Sequence, residues 1–308
     1  MPTSACGDAT KDYERIEAGL LGGDVGNKDH GSGGVDVRYV PAGERLARYV
    51  TGYHRFGAPV CVGRDMHDAF FPSVATIRVA LRNTPPWSLK IGSRLFDPVP
   101  PIALMGPSSY AGYVTCTGGE LVGVGLRPFG WAQIFGGDVS RFSNRVIALH
   151  DIDPGAEMLR EALEKADSFE AAFETWLEAR LQRRPPADPR IEILCGMLRD
   201  PETTRIEAVA ETLDMSPRAL AAMTRYNFGF TPKLLLRRTR FLRAVTVVLT
   251  DPNAGPAALE KAGYWDRSHF LRDSHLFLGC SVRDFTRRRG PHNQVAIEAR
   301  VQAFGSPV

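Results

Sequence analysis

Between residues 204 and 289 apolar positions recur with helical spacing in short runs broken by turn residues. Ile206, Val209, Ala210 and Leu213 fall at i, i+3, i+4 and i+7, a stripe on one helix face that leaves Glu207 and Glu211 outside. Thr204-Arg-Ile-Glu207 reads as a capping box that starts this helix. The period breaks at Asp214-Met215 and restarts at Ser216-Pro217, a favoured N-cap followed by the residue favoured at the first helical position. A second helix therefore runs through Leu220 and Met223 to Gly229. Two short helices across a tight turn predict a helix-turn-helix, whose second helix lies in the major groove of DNA.

Thr231-Pro232 repeats the cap-plus-Pro start. The segment to Thr250 carries Leu234, Leu235, Phe241, Leu242, Val245 and Leu249 together with Lys233, Arg237, Arg238, Arg240 and Arg243. Such a helix is roughly 27 Å long. Asp251 to Gly255 ends it, Pro256 starts another with Ala258, Leu259 and Ala262 inward, and Gly263 supplies a turn. Asp266 then caps a helix carrying Arg267, Ser268, His269, Phe270 and Arg272 before Gly279. The connector would place two recognition helices about one DNA turn, ~34 Å, apart.

The N-terminal half has a different texture. Ile77, Val79 and Leu81 alternate with polar partners, as do Leu89 and Ile91, then residues 113–117 and 121–126. Turn signals stand at 83–86, at Asp97-Pro98 and at Gly118-Gly119. Short strands at this spacing predict an antiparallel barrel or sandwich. From Trp131 to Phe135, and again from Met158 to Leu181, the period is helical. The fold class read from the chain is α+β, a β-rich barrel or sandwich followed by an all-α domain of two helix-turn-helix units joined by a long helix. The boundaries expected are a disordered Gly-rich tail over 1–34, the β-rich domain over 35–150 and a helical segment over 151–184. A linker follows over 185–190 in a Pro-rich stretch, then the double helix-turn-helix over 191–290 and a tail over 291–308.

Composition adds a charge asymmetry. The whole chain of 308 residues carries +3, yet residues 190–290 hold seventeen Lys and Arg against eleven Asp and Glu, a net of +6. That excess sits where phosphate contacts are needed. Five widely spaced cysteines without a Cys-x-x-Cys predict reduced thiols in a cytoplasm. No run approaches the ~18 apolar residues of a membrane span, so no membrane partner is expected.

Residues 190–289 resemble the DNA-binding domain of the AraC/XylS family of bacterial transcription regulators. The resemblance is carried by Ala210, Leu213, Met215-Ser-Pro-Arg218, Leu220, Gly229, Thr231-Pro232 and Arg240. In the second half it is carried by Gly263-Tyr264, Asp266, Ser268-His-Phe270, Arg272 and Gly279. It implies a sensory or dimerising β-domain ahead of the DNA-binding domain, with promoter DNA, RNA polymerase, a small-molecule effector and a second copy of the chain as partners. Thr224 and Ser274 stand where the family usually has Phe, and Val282 where it usually has Pro.

Within this frame Arg218 and Arg225 fall in the first recognition helix, and Arg267, Ser268, His269 and Arg272 in the second. Arg267 and Arg272 are candidates for bidentate contact with guanine, and Lys233, Arg237 and Arg283 for phosphate contact. His269 reads more as a structural donor beside Tyr264. Candidate effector-binding aromatics are Tyr53, Phe56, Phe71, Trp87 and Tyr110, with a barrel core as the competing use. Phe173, Trp176 and Leu177 are expected at a dimer interface, the alternative being that they cover the barrel, because a stripe does not say what it faces.

Other chemistry is weakly supported. Asp65, His67 and Asp68 lie close together, but a His-x-His pair is missing, so a surface turn is expected and no metal or other cofactor. The Gly pairs lack a dinucleotide pattern, and Gly106 to Tyr110 lacks a nucleophile elbow, so no catalytic site is read and the chain is taken as a non-enzyme. Two further readings stay open: an interaction adapter with degenerate recognition helices, motivated by Ala222, Thr224 and Ser274, and a metal- or ligand-binding barrel protein.

Overall fold

A computed structural model describes residues 35–250 and 256–287, together with residues 295, 299–301 and 303. The tail expected over 1–34, the break at Asp251 to Gly255 and nearly all of the expected C-terminal tail lie outside the described residues.

The N-terminal half is a two-sheet antiparallel sandwich. Its strands are β1 (Asp36–Val40), β2 (Val50–Ala58), β3 (Met66–Phe70), β4 (Ala75–Ala80) and β5 (Ser88–Ile91). They continue with β6 (Arg94–Phe96), β7 (Ile102–Met105), β8 (Gly112–Cys116), β9 (Gly119–Leu126) and β10 (Val146–Ala148). One sheet has the order β1-β2-β9-β4-β7-β10 and the other β3-β8-β5-β6. Asp65, His67 and Asp68 therefore do not form a surface turn. His67 and Asp68 lie on β3, in register with Thr115 and Val114 of β8.

Side chains alternate across each strand, so one register row shares one face. Tyr53, Val124, Ile77 and Leu104 form a row facing three helices, α1 (Pro128–Ile134), α2 (Ala156–Lys165) and α3 (Phe169–Leu181). Phe173 and Leu177 have no exposed surface and Trp176 is 7% exposed. All three pack into this core, with Phe173 stacked on Tyr53 at 6.2 Å. Of the two expectations for this stripe, the packing supports cover of the barrel, since Phe173 and Leu177 have no exposed area to offer a second chain and Trp176 very little. The apolar stripe covers the larger sheet. A buried Arg180–Asp153 ion pair, with Arg180 stacked 3.7 Å over Trp176, closes its end.

The opposite row, His54, Gly123, Arg78 and Ala103, faces the space between the sheets, where Trp87, Leu89, Ile91, Val99, Met105 and Val146 pack. Gly123 is required there, since a Cβ would stand 2.3 Å from His54 Nε2 and 2.5 Å from the Ile77 carbonyl.

The helical half contains α4 (Arg190–Arg199), α5 (Ile206–Thr212), α6 (Pro217–Phe228), α7 (Pro232–Thr250), α8 (Pro256–Lys261), α9 (Arg267–Leu278) and α10 (Val282–Arg287). Helix α4 was not read from the sequence, and α5 starts at Ile206 with Arg205 as an N-cap that makes no side-chain cap bond, so the Thr204–Glu207 capping box is not formed. Ser216 and Asp266 do cap α6 and α9, accepting from Ala219 N at 3.2 Å and Ser268 N at 2.7 Å. Gly229 and Gly279 end these helices in the left-handed conformation, φ 84° and 75°.

The two halves are packed together. Helix α1 contributes Phe129 to the core of the first helical unit, beside Leu194, Val209, Leu220 and Leu235. The outer face of the smaller sheet contributes Ala69, Tyr113 and Phe71 to the core of the second, with Phe71 4.8 Å from Phe285. The Pro-rich linker is also anchored, since the Gln133 amide nitrogen bonds the carbonyls of Leu181 and Arg184 at 3.1 Å and its oxygen accepts from Ala187 N at 2.8 Å. No helix among the described residues is long and apolar enough to cross a membrane.

Candidate nucleic-acid interface

The helix starts and terminal glycines of the first helical unit recur 50 residues later: Ile206 with Pro256, Pro217 with Arg267, Gly229 with Gly279, Pro232 with Val282. Helices α5 and α6 form one helix-turn-helix and α8 and α9 the other, with α7, 19 residues and about 28 Å long, between them.

The inner faces of α6 and α9 are packed, which fixes what points outward. On α6 the buried positions are Leu220, Met223, Thr224 and Phe228, leaving Arg218, Ala222 and Arg225 exposed at i, i+4 and i+7. On α9 the buried positions are Phe270, Asp273, Ser274, Phe277 and Leu278, leaving Ser268, Arg272 and His275 exposed in the same relation. The fifty-residue recurrence sets His275 opposite Arg225, a correspondence the sequence reading had the means to find but missed. Thr224 and Ser274 are fully buried. Their hydroxyls bond the Ala221 carbonyl at 3.2 Å and the Cys280 carbonyl at 2.7 Å. They therefore have no bearing on what the outward faces read.

The basic residues divide into two sets. Asp273 is fully buried and holds an internal network. The Arg237 guanidinium lies 2.6 Å away, Arg240 3.4 Å, and the Tyr264 hydroxyl donates at 2.5 Å. His269 Nε2 is 3.1 Å from Arg240 and its ring stands edge-on to Tyr264 at 5.2 Å. Arg237, proposed from the sequence as a phosphate contact, thus also has an internal partner in a buried carboxylate, and His269 belongs to the same network. Arg238 donates to the Ser108 carbonyl at 2.7 Å across the interface between the halves, and burial pushes its pKa down to about 10. Arg243 is likewise lowered, by burial first. The long basic helix is therefore mostly an internal scaffold, with Lys233 alone of its five basic residues exposed. Arg218, Arg225, Arg272 and Arg283 are exposed too, with Arg272 4.0 Å from Asp266. Arg267, at the start of α9, is partly buried.

The effector candidates are not brought together. Tyr53 lies in the helix-covered core, Trp87 between the sheets, and Phe71 against Phe285. Tyr110 is 37% exposed beside Gly92. Only Phe56 adjoins an unusual polar feature. His54 is 7% exposed with Nε2 lacking a hydrogen-bond partner, and Arg78 Nε lacks one as well. The Arg78 guanidinium lies 4.6 Å from the Phe70 ring centre and 5.5 Å from that of Phe56. Burial, then Arg78 and Arg300, hold the His54 pKa well below 6.5. Among the described residues no group of three or more His, Cys, Asp and Glu is arranged to hold a metal ion.

No family model matches the chain. No curated protein matches it either. Among solved structures, ToxT from Vibrio cholerae aligns with a TM-score of 0.44 at 9% identity, covering 73% of this chain and 98% of that one. ToxT bound to (E)-4-(8-methylnaphthalen-1-yl)but-3-enoic acid gives 0.41 at 12% identity, covering 73% and 98%. The AraC-like transcriptional activator CuxR gives 0.24 at 12% identity, covering 77% and 91%. At these values the functional reading rests on the residues of this chain.

Proposed function

We propose that this chain is a sequence-specific DNA-binding regulator of transcription in which α6 and α9 read neighbouring stretches of one duplex. The observation that carries the reading is the fifty-residue recurrence of a packed helix-turn-helix with outward polar faces, Arg218 and Arg225 in one unit and Ser268, Arg272 and His275 in the other. Side chains at these positions on a recognition helix meet base edges, while Lys233 and Arg283 flank them as phosphate contacts. RNA polymerase is the partner through which such a protein acts.

The N-terminal sandwich is the proposed receiver of a small-molecule effector. Supporting this, partnerless nitrogens of His54 (Nε2) and Arg78 (Nε) lie beside Phe56 and Phe70 in a domain that packs against both reading units. An effector works only if it binds two arrangements of these units unequally.

The test is fluorescence anisotropy of the full chain on duplex DNA from its own upstream region and on a shuffled duplex, across about 50 to 300 mM salt. A steep salt slope with about a thousandfold preference for its own DNA is expected. A steep slope without preference would leave a generic DNA-binding protein, and absence of binding would reject the reading.

A further inference from the structure

Three of the four tryptophans are core residues, Trp87 at 4% exposure, Trp131 at 2% and Trp176 at 7%; Trp265 is 84% exposed. A mobile loop does not explain this. Tyr264 on one side is buried, its N–H bonded to the Leu259 carbonyl at 2.9 Å and its hydroxyl to Asp273 at 2.5 Å. Asp266 on the other side caps α9 through Ser268 N. The backbone is therefore fixed on both flanks, and the indole is held out in water, where its large apolar surface gains nothing.

Its place in the unit is specific. Trp265 directly precedes the N-cap of α9, the end of a recognition helix that approaches DNA most closely, where flanking residues border the sugar–phosphate backbone. Near it in the chain Lys261, Ser268 and Arg272 are exposed, as are the carboxylates of Glu260 and Asp266, the latter 4.0 Å from Arg272. With the charges nearly balanced, what Trp265 offers at this end is apolar area. A turn of this kind does not itself require an exposed aromatic, since the corresponding residue fifty positions earlier, Met215, is partly buried at the edge of its unit's core.

We infer that Trp265 is a DNA-contact residue, packing its indole on the deoxyribose edge of the duplex beside the groove that α9 enters. This rests on the DNA-binding reading above and adds to it an apolar contact made by the second unit only.

The experiment uses the full chain and two fluorescein-labelled duplexes, its own upstream region and a shuffled control, with anisotropy and tryptophan emission followed together. Because the other three indoles are buried, the acrylamide-accessible emission reports Trp265. Expected are loss of that accessibility on DNA binding and weakening by Trp265→Ala of about fivefold or more on both duplexes, the scale of one apolar contact. Trp265→Phe should restore part of the affinity, and thermal unfolding of both variants should stay unchanged. DNA binding by the wild type with unaltered acrylamide access, and a Trp265→Ala affinity within about twofold, would overturn the inference and leave the DNA-binding reading intact. So would light scattering in which Trp265→Ala separates two copies of the chain, since the indole would then belong to a self-interface. A wild type that binds neither duplex would overturn both.

Discussion

The Tyr113 hydroxyl, on the smaller sheet, donates to the Leu278 carbonyl 2.5 Å away, at the C-terminal end of α9. At the corresponding end of α6 the Ser143 hydroxyl donates to the Gly229 carbonyl at 2.9 Å. The N-terminal half thus bonds the C-terminal ends of both α6 and α9. Tyr113→Phe and Ser143→Ala should each cost about 1 kcal/mol, and the double variant about the sum, because the two contacts share no partner. Urea unfolding measures this, and stabilities within a few tenths of a kcal/mol of the wild type would mean the helix ends are not held in solution.

Thr224 and Ser274 occupy the same relative position but do different work. Around Thr224 lie Leu194, Leu198, Ile206, Val209, Leu220 and Leu235, lining a void of about 10 Å³. Thr224→Val replaces a hydroxyl by a methyl in apolar surroundings and should raise stability by about 0.5 kcal/mol or more. Ser274→Ala strands the Cys280 carbonyl, which its hydroxyl reaches at 2.7 Å, and should lower it by about 1 to 3 kcal/mol. Thermal unfolding of the pair decides, and shifts of the same sign would refute the distinction.

How far the fold was legible depended on how local its causes were. Ser216, Thr231 and Asp266 announced α6, α7 and α9 because a cap is a bond between near neighbours, and alternation announced β4, β5, β8 and β9. Helices α4 and α10 and strands β1, β2, β3, β6, β7 and β10 were missed, since short elements such as Ile102 to Met105, buried on both faces, show no period. The candidate site was legible as to which helices face outward. It was not legible for Arg237 and Arg238, because their partners Asp273 and Ser108 lie 36 and 130 residues away. The stripe of Phe173, Trp176 and Leu177 was seen, and only the sheet it meets assigns it to the core.

His54 gives the sandwich a pH signature. Its pKa is depressed in the folded chain by burial and by Arg78 and Arg300, and ordinary at 6.5 once unfolded. Below pH 6.5 the unfolded chain therefore takes up a proton that the folded chain refuses. Stability is full above that pH and falls as pH drops toward the depressed value, with a slope of up to about 1.4 kcal/mol per pH unit. His54→Gln should flatten the dependence of thermal unfolding on pH between about 6.5 and 5. An unchanged slope would show that His54 is hydrated and titrates normally.

Asp273 tests the division of the basic residues. Removing it as Asp273→Ala strands Arg237, Arg240 and the Tyr264 hydroxyl around a buried site, at a cost of about 3 to 5 kcal/mol. Urea unfolding should register that loss, and the second unit should no longer bind DNA. Arg237→Met separates the two roles open to an arginine on α7. As an internal partner of Asp273, it should cost stability and leave the salt dependence of DNA binding unchanged. As a phosphate contact, it should leave stability alone and reduce the logarithmic salt slope by about one. The 2.6 Å contact with a carboxylate that has no exposed surface favours the first outcome. Lys233→Met, one turn earlier on the same helix and exposed, should give the second.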